Sequence, residues 1–301
     1  MKKVTVLMSS YNGEKYIEEQ IESLLQQEDV SVKIVVRDDG STDETQSILK
    51  RYKAEGKLDW YTGENLGPAK SFMNLVRNAP ASDYYAFCDQ DDFWQSDKLK
   101  IAIEKLNGLD NRKPCMYYGR PRLVDKNLKR IKSPTRTLHH MDTLYSSIIN
   151  ITCTGCTVVF NRKLLDIMNE KSPEFVWMHD AWIHQVCIIT GGSIYFDEDV
   201  HILYRQHENN VIGISNSKKN LFLSHMKSLK KKECARSRIM KSLLDNYSDY
   251  MDDDTLYICE RVANYNKGLK EKLWLLFNIH IRSVYLARNI LFRMAVLLNA
   301  Y

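Results

Sequence analysis

The sequence predicts an α/β fold: a mostly parallel sheet with helices on both faces, followed by a C-terminal α-helical extension. Three observations predict it. Short apolar runs alternate with stretches of helical periodicity over residues 1–120. Polar clusters stand at the ends of three of those runs, where open parallel sheets bind ligands. From Ser217 onward the strand signals stop and helical spacing dominates.

Each element follows from its residues. Val4–Met8 is a buried strand, and Gly13–Gln26 is a helix with Ile17, Ile21, Leu24 and Leu25 on one face. Lys33–Val36 is the second strand. Ser41 and Glu44 form a capping box for a helix carrying Ile48, Leu49 and Tyr52. Leu58–Tyr61 is a weaker strand, and Pro68 suits the first turn of a helix whose face is Phe72, Leu75 and Val76. Tyr84–Phe87 runs straight into an acidic cluster. Ser96–Leu106 is helical, with Asp97 available as its cap, and Cys115–Tyr118 is a strand. Residues 121–150 read as a loop-rich insertion. Val158–Phe160 is a strand, Arg162–Met168 a helix, and His179-Asp180 opens a helix that Gly191-Gly192 stops. Ile194–Phe196 and Val200–Leu203 complete the strands. The division is one domain over 1–216 and a helical region over 217–301.

Composition narrows the function. The chain has 301 residues, 44% hydrophobic and 27% charged, enough for a sizeable core. A net charge of +5 does not argue for nucleic acid, and no nucleic-acid partner is expected. The apolar run after Lys2-Lys3 is too short for a signal peptide, and no run of eighteen apolar residues would cross a membrane. Seven cysteines without a signal peptide point to free thiols in a reducing cytoplasm. Cys153 and Cys156 form a lone CxxC in an apolar setting, which reads as packed thiols before zinc or redox chemistry.

The polar clusters carry the chemistry. In Asp89-Gln90-Asp91-Asp92, residues 89 and 91 point to one side of a strand end, an oxygen-rich pair suited to Mn²⁺ or Mg²⁺. A solvated acidic loop is the alternative. Asp38-Asp39-Gly40-Ser41 links a strand to a helix, so an acid there serves a base or ribose, or simply caps the turn. No GxGxxG or GxxxxGK[ST] is present, which argues against a dinucleotide enzyme or a Walker-type phosphate loop. Asp180 at a helix start is either a cap or a general base at the crevice mouth. After the last strand, Arg205 could contact phosphate and His207 could bind metal or serve structure.

Taken in order, Ser9-Ser10-Tyr11-Asn12, Asp38-Asp39-Gly40-Ser41-Thr42-Asp43, Asp89-Gln90-Asp91-Asp92 and His179-Asp180 resemble the family 2 glycosyltransferases, of the GT-A (Rossmann-like) fold, over residues 1–212. FCDQDDFW and YRQHENNV are similar to the bacterial rhamnosyltransferase-type members that build cell-surface polysaccharides. The resemblance implies an inverting transfer from a dTDP- or UDP-linked nucleotide sugar to a glycan or lipid-linked acceptor. Rhamnose is the first donor implied, with galactose, glucose or N-acetylhexosamine following. Ser9, Tyr11, Asn12, Asp38, Asp39, Asp89, Gln90 and Arg205 would hold the nucleotide sugar, Asp91 and His207 the metal, and Asp180 would be the base. His179 stands where many members carry Glu, and Asp92 is left to cap or orient its neighbours. A metal-dependent phosphoryl or nucleotidyl transferase, and a non-catalytic nucleotide-sugar-binding assembly subunit, are the competing readings.

The C-terminal region offers an apolar surface around Leu275, Phe277, Ile281, Ile290 and Leu297. A polar stripe of Asn278, Arg282, Asn289 and Arg293 crosses it on one expected helix. Packing on the catalytic domain or a homodimer partner stands ahead of contact with a membrane surface. Lys218, Lys219, Lys227, Lys230, Lys231 and Lys232 would assist membrane contact at the inner face of the plasma membrane.

Overall fold

The computed structural model describes residues 1–131, 142–150, 153–207 and 234–301. The first half runs β1 (Lys2–Ser10), α1 (Ile17–Leu25), β2 (Val30–Asp38), α2 (Thr45–Ala54), β3 (Asp59–Thr62), α3 (Pro68–Arg77), β4 (Tyr84–Asp89), β5 (Phe93–Trp94), α4 (Lys98–Asn107) and β6 (Cys115–Gly119). Then come β7 (Arg122–Val124), α5 (Leu144–Ile149), β8 (Val159–Asn161), α6 (Arg162–Glu170), α7 (His179–Ile189), β9 (Ser193–Asp197) and β10 (Ile202–Arg205). The insertion expected to be loop-rich therefore contributes β7 and α5.

The main sheet has seven strands in the order β3-β2-β1-β4-β8-β6-β9. β3, β2, β1 and β4 are parallel, β8 runs antiparallel to both its neighbours, and β6 and β9 are parallel. From β1 the chain builds outward to β2 and β3 on one side and then crosses to β4 on the other. A crevice opens where the direction of winding changes.

Both sheet faces are buried, which is why the strands read as unbroken apolar runs. Val4, Val6, Met8, Ile34, Val36 and Ala86 pack with Ile17, Leu24, Leu49, Leu99 and Leu106 of α1, α2 and α4. Leu7, Val35, Tyr85 and Phe87 point the other way, onto Phe72, Leu75, Leu164 and Trp182 of α3, α6 and α7. All seven cysteines are free thiols, and Cys153 and Cys156 are both buried.

Two local expectations are corrected. Ser41 and Glu44 do not box the start of α2; Thr45 N donates to Asp43 Oδ1 at 3.0 Å instead. The Ser41 hydroxyl is taken by Asp38 and by Asn12 N, so it cannot cap. Asp97 stands at the start of α4 but makes no side-chain cap; its carboxylate meets His201 Nδ1 at 3.0 Å.

Among the described residues, four further helices follow: α8 (Ala235–Tyr247), α9 (Asp253–Ala263), α10 (Leu269–Phe277) and α11 (Leu286–Leu297). Ile239, Met240, Leu243 and Val262 share one buried cluster with Trp182 and Ile183 of α7, so these helices extend the core on that face of the sheet. The single helix expected across the polar stripe is two. Asn278 ends α10, and Asn289 bonds Ser283 N and O at 2.7 Å each, across the turn into α11. The lysine cluster and the 216/217 boundary lie outside the described residues.

Candidate active site: an acidic crevice at the carboxyl edge of the sheet

Register brings the three sequence clusters together. Ser10 pairs with Asp38, and Ser9 pairs with both Arg37 and Asp89. The ends of β1, β2 and β4 thus lie side by side at the point where the winding reverses.

The β2 end is a rigid frame. Asp38 is fully buried and accepts from five donors: Ser10 Oγ, Ser41 N, Ser41 Oγ, Gln46 Nε2 and Thr62 Oγ1. A carboxylate offers about four lone-pair sites, so Asp38 has no capacity left. Asp39 is ion-paired to Arg37 and accepts Leu66 N at 3.0 Å and Gly67 N at 2.8 Å, fixing the loop into α3. Arg37 also donates to Ser71, whose hydroxyl meets Ser9 Oγ at 2.6 Å. Both acids expected to hold a nucleotide directly therefore spend their oxygens on this frame.

The β1 end is exposed to the crevice. Tyr11 is 46% exposed, and its backbone N and O form a two-bond pair with the Gln90 amide, 2.9 Å each way. Gly13 makes that approach possible, because a Cβ there would lie 2.1 Å from Gln90 Oε1. Asn12 sits at φ 48°, a left-handed conformation Asn tolerates, and accepts Thr42 N at 2.9 Å. Gln90 thereby ties the acidic turn to the β1–α1 loop.

The acidic turn is completed from far along the chain. β5 pairs antiparallel with β10, Phe93 opposite Leu203 and Trp94 opposite Ile202. Continuing that register sets Arg205 beside Asp91 and Asp92. Arg205 N donates to Asp92 Oδ1 at 3.1 Å, and Arg205 Nε donates to the Asp91 carbonyl at 2.8 Å. The rest of the guanidinium bonds Lys126 O at 2.5 Å and Glu19, and it lies 4.6 Å from the Tyr16 ring centre. Arg205 is 1% exposed, which corrects the expected phosphate contact: it is a buried staple under the turn. Two residues on, His207 Nε2 meets Asp91 Oδ2 at 2.7 Å, with Tyr16 stacked on the imidazole at 5.0 Å.

Asp89 feels the charges of both Asp91 and Asp180. Burial first, then those two charges, push its pKa up to about 8. Asp180 lies in the first turn of α7, where one carboxylate oxygen accepts Ala181 N at 2.7 Å. His179 points the other way. It is 3% exposed and stacks on Phe72 at 3.8 Å, and burial lowers its pKa to about 4. Where the resemblance implied Glu, His179 is a neutral aromatic plate.

Asp92 acquires a position. It is fully buried, one oxygen on Arg205 N and the other beside the Cys156 thiol. Lys98 is buried nearby with its ammonium 3.4 Å from the Trp94 ring centre and no hydrogen-bond partner among the described residues. Burial lowers the Lys98 pKa to about 8, an effect that Cys88, Cys156 and Asp92 oppose.

Two donor sets could hold a cation. Asp89, Asp92 and Cys156 place ligand atoms within 4.8 Å of one another, but the Lys98 ammonium would repel a second positive charge there. Asp91 and His207 fit better: both are partly open to the crevice, and an imidazole nitrogen and a carboxylate oxygen suit Mn²⁺. The mutual repulsion that raises Asp89 is the charge such an ion would relieve.

Sequence reasoning missed Tyr16 and Glu19, which seat His207 and Arg205, and Gln46 and Thr62, which saturate Asp38. All four are ordinary helix- or strand-end residues, and nothing in their local pattern marks them.

The geometry has relatives. Residues 5–167 match the model of glycosyl transferase family 2. A dTDP-rhamnosyl transferase of Shigella flexneri, RfbG, is 32% identical over 230 residues, covering 68% of this chain and 73% of that protein. Among solved structures, S. aureus TarS 1–349 in complex with UDP-GlcNAc superposes with a TM-score of 0.57 at 17% identity, over 98% of this chain and 90% of that one. The mannosyltransferase PcManGT of Pyrobaculum calidifontis, in complex with GDP-Man and Mn²⁺, gives 0.54 at 17% identity, over 99% and 85%. The match over more than half its length, the Shigella relative and the GT-A architecture agree: the chain belongs to glycosyltransferase family 2.

Proposed function

We propose that this glycosyltransferase moves a sugar, rhamnose first, from a nucleoside-diphosphate donor to a hydroxyl of a cell-surface polysaccharide or lipid-linked glycan, with inversion. The rhamnosyl, dTDP-linked choice rests on the likeness to the Shigella dTDP-rhamnosyl transferase. The observation that carries the chemistry is the meeting of Asp91 and His207 beside Asp89, with the Asp180 charge in reach.

The donor's base lies along the edge framed by Ser9, Tyr11 and Asn12, where the half-exposed Tyr11 ring gives it a stacking surface. Asp38 and Asp39 act through that frame, holding its loops still. Asp89 faces the ribose and diphosphate. Asp91 and His207 would hold Mn²⁺ or Mg²⁺, which would supply positive charge to offset that of the departing diphosphate. The Asp180 carboxylate takes the proton of the acceptor hydroxyl. That oxygen attacks the anomeric carbon opposite the diphosphate, the anomeric C–O bond breaks, and the nucleoside diphosphate leaves with the electron pair. One base and no covalent intermediate suffice.

Calorimetric titration of dTDP and UDP, with Mn²⁺ and with EDTA, tests the donor site. Binding is expected to depend on the cation and to weaken at least about tenfold in Asp91→Asn and His207→Ala. Nucleotide binding indifferent to EDTA in the unaltered chain would remove the metal from this reading. Among the described residues no helix is long and apolar enough to cross a membrane. Attachment at the inner face of the plasma membrane would rest on Phe277, Ile279 and Leu286, exposed on α10, α11 and the turn between.

A further inference from the structure

A second cavity, of about 360 Å³, lies between the entrance to α7 and the C-terminal helices. Its size falls in the range of small-molecule sites. Arg236 of α8 and Arg288 of α11 supply its charge, Asn150, Trp177 and Tyr301 add polar groups, and Leu291 and Phe292 form an apolar wall. No aspartate or glutamate is among its described lining residues.

Arg236 makes no ion pair among the described residues, and its hydrogen bond to Ser147 O is long, at 3.4 Å. Burial pulls its pKa down, an effect that Tyr301 opposes, so an anion entering the cavity would relieve the desolvated cation. Two guanidiniums match the charge of a phosphate monoester, about −1.5 to −2 at neutral pH, better than that of one carboxylate.

One lining residue, Trp177, is close in sequence to the proposed base. Trp177 is 48% exposed and three residues ahead of Asp180, at most about 11 Å between Cα atoms. Gly155 packs against the same helix start, where a Cβ would stand 2.4 Å from His179 Nε2 and 3.5 Å from Asp180 Cβ.

We propose that this cavity binds a phosphate group carried on an apolar substituent, with Arg236 and Arg288 pairing the phosphate and Leu291 and Phe292 covering the apolar part. It is the anchoring site of the acceptor, an assignment that rests on the transferase reading because only a transferase needs an acceptor held beside Asp180.

The test is calorimetric titration of the full chain with decyl phosphate, inorganic phosphate, decanoate and decyl glucoside, below their micelle concentrations. Decyl phosphate is expected to bind saturably. Arg236→Gln and Arg288→Gln should each weaken it at least tenfold, and decanoate and decyl glucoside should bind at least tenfold more weakly. Inorganic phosphate binding as tightly, with the same arginine dependence, would support the phosphate site and assign it to the free ion. Decyl phosphate binding unchanged in the variants, decyl glucoside binding equally well, or no phosphate binding would overturn the proposal. If Arg236→Gln lowers the melting temperature, the half-buried Arg288→Gln decides between these outcomes. Nucleoside diphosphate release by the unaltered chain is measured separately: phosphate binding without release sinks the transferase reading alone, and release without phosphate binding sinks the cavity alone.

Discussion

Neither ring nitrogen of His179 has a hydrogen-bond partner among the described residues. Its pKa of about 4 in the folded chain lies well below the ordinary 6.5 of the unfolded one. Between those values the unfolded state binds the extra proton, so stability present above about pH 6.5 is lost as pH falls toward 4. The loss is on the order of 3 kcal/mol for this one residue. Thermal melts from pH 7.5 to 4.5 are expected to fall less steeply in His179→Phe than in the unaltered chain; parallel curves would contradict the buried neutral ring. Asp180, one residue on, is the proposed base. Asp180→Asn should keep nucleotide binding while transfer drops by about 10² to 10⁴, the usual worth of a general base. Near-normal turnover would take Asp180 out of the mechanism. The residues were legible to different degrees. Asp89, Asp91 and Asp180 announced themselves as charges at element ends. Arg205 did not reveal its direction, because a guanidinium that staples a turn and one that grips phosphate have the same sequence.

At the scale of elements, both buried faces of the main sheet gave β1, β2 and β4 apolar runs that no other element would need. The small sheet of β5, β10 and β7 was not legible as a unit. Its strands are two to four residues long, and its pairings span more than seventy residues of sequence. Yet that sheet carries His207 to Asp91, across 116 positions. The β1–α1 loop depends on a similar long contact, Gln90 on Tyr11. Gly13→Ala places a Cβ against the Gln90 amide and should break that pair. Nucleotide affinity is expected to fall several-fold with the far-ultraviolet spectrum unchanged, and unaltered affinity would show that the Tyr11 edge does not hold the base. Ser41 illustrates the opposite error. The local pattern promised a helix cap, and a buried carboxylate 3 residues away outcompeted it.

For the whole molecule, the decisive feature is continuity between the sheet and the C-terminal helices. Trp182 of α7 and Leu243 of α8 lie in one buried cluster, and the Tyr247 ring packs against Trp182 with centres 6.0 Å apart. The helical periodicity of residues 234–301 was plain in the sequence, but its partner was not, since an apolar helix face fits a core, a second copy or a membrane equally well. The described helices and their connecting turn bury Leu275, Ile281, Phe292 and Val296 in the core and leave Phe277, Ile279, Leu286, Ile290 and Leu297 exposed. The proposed donor crevice and the proposed acceptor cavity would serve one reaction, and that reaction has a direct assay. The unaltered chain, Asp91→Asn and His207→Ala are incubated with dTDP-rhamnose and a panel of UDP-hexoses in Mn²⁺, Mg²⁺ or EDTA, and the released nucleotide is identified. The expected result is nucleoside diphosphate, formed only with a divalent cation and lost in both variants. Release that persists in EDTA, or a nucleoside monophosphate as the product, would contradict a metal-dependent sugar transfer at Asp91 and His207.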